Sequence, residues 1–501
     1  MSGLTRRRLS MIGAMMLAAG LVSVSMATAG GSAAASGTPM SLTEYAIGKP
    51  ICAPAKRGYS TCFAIRKVIV RRGTPDAVPF VVGDGASIES PRAGAKATIG
   101  PDGGLTPTDL STAYGFNPTA SGTGQTVALV DAYNDPDINS ELQTFDDQYG
   151  LLACSIINGC LKVVGQTGTS TLPAHDTSGW AVEESLDVET VHSVCERCKI
   201  LLVEATTSSN PDLAAAVQTA VRLKATEISN SYGSPESSQD AGDYNHPGVV
   251  ITAAAGDDGY YSFDELGASG SVNAPYTPAA FPTVVAVGGT SLYLGQKGGR
   301  QSEAVWNDNG VKDVFEDVLG QALGAGGGGC SARFTAQKWQ QKVAGWSDTG
   351  CGTRRLVSDI SAVADPLTGF DIFHSYNCGS KCAPLGWTTV GGTSLASPII
   401  AAMFALAGGA HGVAYPAETL YSHLGTSTDF YDVTSGGNGF CDGEGAAECG
   451  DWNLKGAGDV DCDYTAAGVL NVGDRACDAL AGYDGPTGVG TPKGLGAFQK
   501  G

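Results

Sequence analysis

The segment Gly391-Gly-Thr-Ser-Leu-Ala-Ser-Pro398 sets a serine in a Gly-rich turn just ahead of an apolar, helix-like run over residues 399–408. A hydroxyl in that position faces a reacting carbonyl, and the free backbone N–H groups of a helix start can hold the carbonyl oxygen. The same residues also suit an ordinary helix cap, through Thr393 or Ser394. A hydroxyl nucleophile needs a base. The six histidines (His175, His192, His246, His374, His411 and His423) sit in no base motif. The chain offers instead Trp180-Ala-Val-Glu183-Glu-Ser-Leu-Asp187-Val-Glu189. Glu183 and Asp187 are four apart, so they share one face of a helix. Two carboxyls so placed repel and share a proton, which raises one of them toward the range of a general base working in acid. Taken alone, E-x-x-x-D also describes a solvated acidic face. A third candidate is Asp257, in Ala253-Ala-Ala-Gly-Asp257-Asp-Gly259. It follows an apolar strand, where sites gather in open α/β sheets, although an Asp-Gly pair also makes a plain turn.

The elements that must carry these residues alternate between strand and helix. Residues 126–130 form an apolar run ending at Asp131, followed by a helical stretch through Tyr149. Buried strands are expected at 199–203, 227–231, 249–255 and 283–287, and an amphipathic helix at 211–224. Short all-apolar strands separated by helices imply an α/β fold with a mainly parallel sheet covered on both faces. Gly324-Ala-Gly-Gly-Gly-Gly329 contains a formal GxGxxG, but no helix start follows it, so it carries no nucleotide site.

In this order, the three pieces resemble the sedolisin family, the serine-carboxyl peptidases, which pair a subtilisin-like doubly wound fold with a Glu/Asp couple in place of histidine. The matching residues are Glu183-x-x-Leu-Asp187, Gly256-Asp257 and Gly392-Thr393-Ser394. Ser229-Asn-Ser-Tyr-Gly233, Gly288-Gly-Thr-Ser291 and Asp359-Ile-Ser-Ala-Val-Ala-Asp365-Pro also match, over roughly residues 106–492. The resemblance implies Ser394 as nucleophile, Glu183 as base and then acid, Asp187 as its orienting partner, and Asp257 in the oxyanion hole. Asp257 can donate there only when protonated. Asp131 is placed either to join this carboxyl network or to be a solvated strand-end acid. The resemblance further implies a structural calcium held by Asp432, Val433, Gly482 and Asp484, with Leu480 standing where a glycine is usual. Oxygen donors of this kind suit a hard cation. Two other readings stand beside this one: a subtilisin-type serine peptidase, which the missing histidine motif opposes, and a catalytically silent secreted binding protein.

Charge divides the chain. Residues 1–105 hold 12 Lys/Arg against 5 Asp/Glu, whereas residues 106–501 hold 18 against 45. A body this acidic repels phosphate, which excludes nucleic acid as a partner. Residues 1–29, with Arg6-Arg7-Arg8, an apolar stretch and Ala27-Thr-Ala29, read as a signal peptide, with a faint twin-arginine character. Residues 30–105 then form a short basic prosegment and linker with one strand over 62–70, and 106–501 the peptidase domain. The expected protein is secreted, free of the membrane once the signal is removed, and monomeric. Its partners are protein or peptide substrates and its own prosegment as an inhibitor docking on the acidic body. Fourteen cysteines fit export. Neighbour pairing gives Cys52/Cys62, Cys154/Cys160, Cys195/Cys198, Cys330/Cys351, Cys378/Cys382, Cys441/Cys449 and Cys462/Cys477, with a zinc or redox role for Cys195-x-x-Cys198 as the alternative.

Overall fold

The computed structural model describes residues 44–54, 56–71, 100–262, 274–295, 298–308, 324–379, 385–439 and 474–500. The expected signal peptide and most of the Cys-rich stretch 436–482 lie outside them. In chain order, the elements that matter for the site are β1 (Glu44–Pro50), β2 (Ile65–Arg71), α1 (Pro107–Tyr114), β3 (Thr126–Ala132), α2 (Ile138–Tyr149) and β4 (Leu161–Gly165). They continue with α3 (Trp180–Val194), β5 (Lys199–Ala205), α4 (Asn210–Arg222), β6 (Glu227–Asn230), β7 (Val250–Ala254), β8 (Val285–Leu294) and β9 (Arg300–Val305). The last are β10 (Ile360–Val363), β11 (Phe370–His374), β12 (Gly386–Gly391) and α5 (Thr393–Ala407).

The main sheet has eight strands in the order β9-β8-β7-β6-β3-β5-β4, with β10 also on β8. Every pairing is parallel except β8 with β9. The strands are short and apolar because helices bury both faces, as expected for a parallel sheet. Val127 to Val130, Leu202, Val203, Ile228 and Ala253 have no exposed surface. The subtilisin-like, doubly wound α/β class read from the sequence therefore stands.

One strand and one helix differ in extent from the expectation. β8 continues past Gly288-Gly289 to Leu294, where it turns antiparallel to β9. α5 begins at Thr393, before the apolar run that signals it, because Gly392 (φ 93°) starts the helix with a backbone that side-chain-bearing residues disfavour. A second sheet, β1-β2-β12-β11, is antiparallel throughout. It joins residues 44–71 to the strand that leads into Ser394, and both belong to one compact unit, residues 39–501.

Four of the expected disulfides are present: Cys52–Cys62, Cys154–Cys160, Cys195–Cys198 and Cys330–Cys351. Cys378 and Cys477 are also disulfide-bonded, while Cys382, Cys441, Cys449 and Cys462 lie outside the described residues. Among the described residues no helix is long and apolar enough to cross a membrane.

Candidate active site

Ser394 lies in the first turn of α5 and is fully buried. Its Oγ donates to the Ser231 carbonyl at 3.0 Å. Pro398 stands four residues on and has no N–H to give the Ser394 carbonyl, so that carbonyl is left without its helical partner. Ser231 Oγ sits 3.3 Å from it and 2.7 Å from Asp187 Oδ1, and its single proton favours the shorter contact. Ser231 thus ties the serine's turn to α3.

The turn is braced from the other side by Asp257. Its Oδ1 accepts from Thr393 N at 2.7 Å and Thr393 Oγ1 at 2.8 Å, while Thr393 Oγ1 accepts from Gly256 N at 3.1 Å. Oδ2 of Asp257 is buried without a partner. Burial pushes this carboxyl well above its usual range, against the pull of the two Thr393 hydrogen bonds, with neighbouring Asp258 adding to the rise. Protonation, which leaves an Oδ2–H to donate, is therefore favoured to higher pH than in an ordinary carboxyl.

α3 supplies the acids. All fifteen of its residues are buried, Glu183, Glu184, Asp187 and Glu189 among them. Glu183 is raised well above a normal carboxyl by burial first, then by Asp187 and Asp131, and only the Ser394 hydroxyl notably opposes the rise. Neither oxygen of Glu183 has a hydrogen-bond partner at proper geometry, so a rotation about the serine's Cα–Cβ bond is what would bring Oγ–H to it. Asp187 is raised by burial and then by Asp131. Asp131, which ends β3, has both oxygens buried and unpartnered, and burial lifts it to about 7. Of the two sequence readings for Asp131, the network member is the one observed.

Two members were not singled out from sequence. Glu184 is raised by burial and by Glu204, and Glu204 is lifted to about 8 by burial while accepting from Asn134 at 2.8 Å. The β3–β5 register sets Glu204 directly opposite Asp131. An acid near the C-terminal end of an apolar strand was the signal that could have found it, as it found Asp131.

The histidines lie elsewhere. His192 Nε2 donates to Leu152 O and faces Asp146, His374 is near Asp135, Glu141 and Ser185, His246 is at Gln218, and His423 is at Asp429. His175 and His411 are exposed. Among the described residues, two groups have metal-ligand proximity. In Cys154/Cys160/His192 the sulfurs are consumed by the disulfide. In Asp135/Glu141/His374, Glu141 is already engaged by Ser375, Tyr376 and Ser185. Cys195 and Cys198 form a disulfide, which removes the zinc reading.

Of the expected calcium residues, Asp432, Gly482 and Asp484 lie near one another. Asp432 accepts from Gly482 N at 3.0 Å. Asp484 accepts from Leu480 N at 3.0 Å and from Thr487. Val433 is buried against Val305 and Ala479. Asp484 is raised to about 8, mainly by burial and in a smaller part by Asp432. Two neighbouring carboxyls are oxygen donors of the kind that suits a hard cation.

The sequence profile of the subtilase family matches residues 165–445. Kumamolisin of Bacillus sp. (strain MN-32) is 31% identical over 351 residues, covering 66% of this chain and 57% of that protein. Sedolisin of Pseudomonas sp. (strain 101) is 28% identical over 353 residues, covering 67% and 56%. The chain thus spans little more than half the length of these relatives. Among solved structures, Pseudomonas sedolisin, a serine-carboxyl proteinase complexed with pseudo-iodotyrostatin, aligns with a TM-score of 0.58 at 27% identity, over 78% of this chain and 95% of that one.

Proposed function

Since the chain belongs to the subtilase family, we propose that it is a secreted, acid-active serine-carboxyl endopeptidase that cleaves peptide bonds through an acyl-enzyme on Ser394. The observation that carries this reading is the convergence at the start of α5. The Ser394 N–H and the free Oδ2 of Asp257 border one carbonyl position, and a buried carboxyl network stands beside the hydroxyl in place of a histidine.

In this mechanism Ser394 Oγ attacks the carbonyl carbon and passes its proton to Glu183. Asp187, held by Ser231, keeps Glu183 oriented and shares the proton, and Asp131 extends the store. The oxyanion takes hydrogen bonds from Ser394 N–H and protonated Asp257. Glu183 then protonates the leaving amine, and water repeats the sequence on the ester. Activity needs Glu183 ionised and Asp257 protonated, so it falls as pH drops through the first and as pH rises through the second.

The remaining assignments follow from the same reading: residues 1–29 as signal peptide, 30–105 as prosegment and linker, and 106–501 as the peptidase domain. Calcium, when bound, would be held by the Asp432 and Asp484 carboxylates and the Val433 and Gly482 carbonyls, and would supply loop stability rather than chemistry. The deciding experiment is digestion of an unfolded protein from about pH 2 to about pH 9 by the parent chain, Ser394→Ala and Glu183→Gln. Acid-side activity lost in both variants supports the mechanism, and an active Glu183→Gln sinks it.

A further inference from the structure

The cleft next to Ser394 is filled by the chain itself. Residues 58–66 run through it extended, between two strand edges. On one side, Asn210 N donates to Gly58 O, Ser60 N donates to Ser208 O, and Thr61 and Cys62 pair antiparallel with Gly233 and Tyr232. Phe63 N then donates to Ser231 O at 3.2 Å. On the other side, Ile65 and Arg66 pair antiparallel with Gly391 and Val390. Strand addition at an exposed edge is a general way of holding a peptide, and here the held peptide crosses the nucleophile between its two ladders.

The crossing point is the bond from Phe63 to Ala64. Ser394 N donates to the Phe63 carbonyl at 3.3 Å. A Cβ built on Gly392 would lie 1.8 Å from that carbonyl oxygen and 2.6 Å from Asp257 Oδ2, so both oxygens meet at the bare face of this glycine. The Phe63 ring packs on Tyr276 with centroids 5.0 Å apart and on Ala254. A Cβ on Gly233 would come within 2.6 Å of the ring, so the slot is as deep as it is because residue 233 has no side chain. Phe63 is only 3% exposed.

Both flanks of this bond are tied down. Cys62, the residue before Phe63, is bonded to Cys52, and Thr61 Oγ1 donates to Ala53 O at 2.7 Å. Beyond Ala64, whose carbonyl accepts from Ile51 N at 3.0 Å, β2 pairs with β1 from Ile65↔Pro50 to Arg71↔Glu44.

We propose that the segment from Ile51 to Arg66, braced by the Cys52–Cys62 disulfide just ahead of the bond, is an internal substrate-like inhibitor, with Phe63–Ala64 as its reactive bond and the slot of Gly233, Ala254 and Tyr276 as the seat for an aromatic side chain preceding the cleaved bond. This rests on the peptidase reading and adds what the cleft takes and what blocks it. Attack joins Ser394 Oγ to the Phe63 carbon and breaks the bond to Ala64 N, which takes the serine's proton by way of Glu183. The new amine at Ala64 stays in place, because Ile51 and the β1–β2 ladder hold it, and the acyl side stays on the Tyr232–Gly233 edge through the backbone of Thr61 and Cys62. The amine therefore outcompetes water and re-forms the bond. Tethering keeps the loop at an effective concentration on the order of millimolar, which a free peptide must exceed.

The test separates binding from catalysis. In the full chain with Ser394→Ala, a fluorescent linear peptide carrying Phe in mid-sequence should bind weakly, and adding Phe63→Gly should tighten its apparent Kd by about tenfold or more. Cys52→Ser with Cys62→Ser, which loosens the loop without touching the slot, should shift it in the same direction by less. Melting curves establish that each variant is folded. With Ser394 intact, Phe63→Gly should hydrolyse the same peptide faster than the parent, and a synthetic peptide of residues 51–66 carrying the Cys52–Cys62 disulfide should inhibit it. Equal peptide binding with and without Phe63→Gly overturns the inhibitor proposal. Unmasked binding with no hydrolysis by the Ser394 protein leaves the inhibitor standing and overturns the peptidase reading.

Discussion

α3 and α5 pack against each other, and both are withdrawn from solvent, yet they carry opposite chemistry. α5 has no ionisable side chain, and Leu395, Ile399, Ile400, Met403 and Phe404 fill the core. α3 takes Glu183, Glu184, Asp187, Glu189 and His192 into the same interior. Burial raises its four carboxyls and lowers His192 to about 4. All five shifts favour the neutral form, which is how an interior tolerates such groups, and Glu183 must give up that form before it can act as a base. α5 is thus a helix whose burial follows from its composition. α3 is one whose burial opposes its composition, and the conflict between levels marks the site.

The largest break in this comparison is catalytic. Glu183→Gln on α3 and Ser394→Ala on α5 should each lower kcat/KM on an unfolded-protein substrate by about a thousandfold or more, some 4 kcal/mol. Their thermal melts should stay close to that of the parent. If either variant keeps more than a tenth of the parent's activity, the two helices do not share the reaction.

Next comes packing. Phe404→Ala removes a ring that lies edge-on to Phe498 at 4.9 Å between centroids. It should cost about 3–5 kcal/mol by the usual large-to-small arithmetic, by the same amount at acid and neutral pH. The acidic side of the comparison should instead show a slope. For a carboxyl whose folded pKa is raised, the stabilising contribution is complete below the unfolded value and is lost as pH rises through the folded one. With Asp131 at about 7 and Glu204 at about 8, the melting temperature of Ser394→Ala should be highest in acid and decline from about pH 4 to about pH 8. Glu204→Gln keeps an acceptor for Asn134 and should flatten part of that decline, leaving the variant a few kcal/mol, of order 1.4 per pH unit, more stable at the alkaline end. A melting temperature that climbs steadily from acid to neutral pH would contradict the buried-acid account.

Much of this was legible in the sequence, for physical reasons. Apolar strand runs, Glu183 with Asp187 at helical spacing, and a Gly-Thr-Ser turn are local signals, and the parallel sheet and the three candidate site segments came from them. What was not legible depends on contacts between distant segments. Glu184 and Glu204 gain significance only from the β3–β5 register and the depth of α3. Ser231 matters because Pro398, far from it in sequence, leaves a carbonyl open. Residues 62–70 read as one strand, but the structure interrupts it after Cys62 and resumes it at Ile65. No periodicity could foretell that, since the break is where the chain passes from the Tyr232–Gly233 edge to the β12 edge across Ser394.

The smallest expected effect, and the sharpest probe of the border between the two helices, concerns Asp257, which is joined to α5 through Thr393 and lies among the charges that raise Glu183. Its Oδ1 is fully used as an acceptor, and only Oδ2 faces the carbonyl position. Asp257→Asn keeps the acceptor and puts an N–H donor where the protonated oxygen was, and an amide does not titrate. The loss of donor capacity at high pH should therefore vanish. At the acid optimum the variant should fall short of the parent by about tenfold or less, while Asp257→Ala, which removes the donor, should lose about a hundredfold or more. The alkaline limb of kcat/KM should move upward by about one pH unit or more in Asp257→Asn. An alkaline limb that stays in place would mean that another group, within α3 itself, sets the upper pH limit of the reaction.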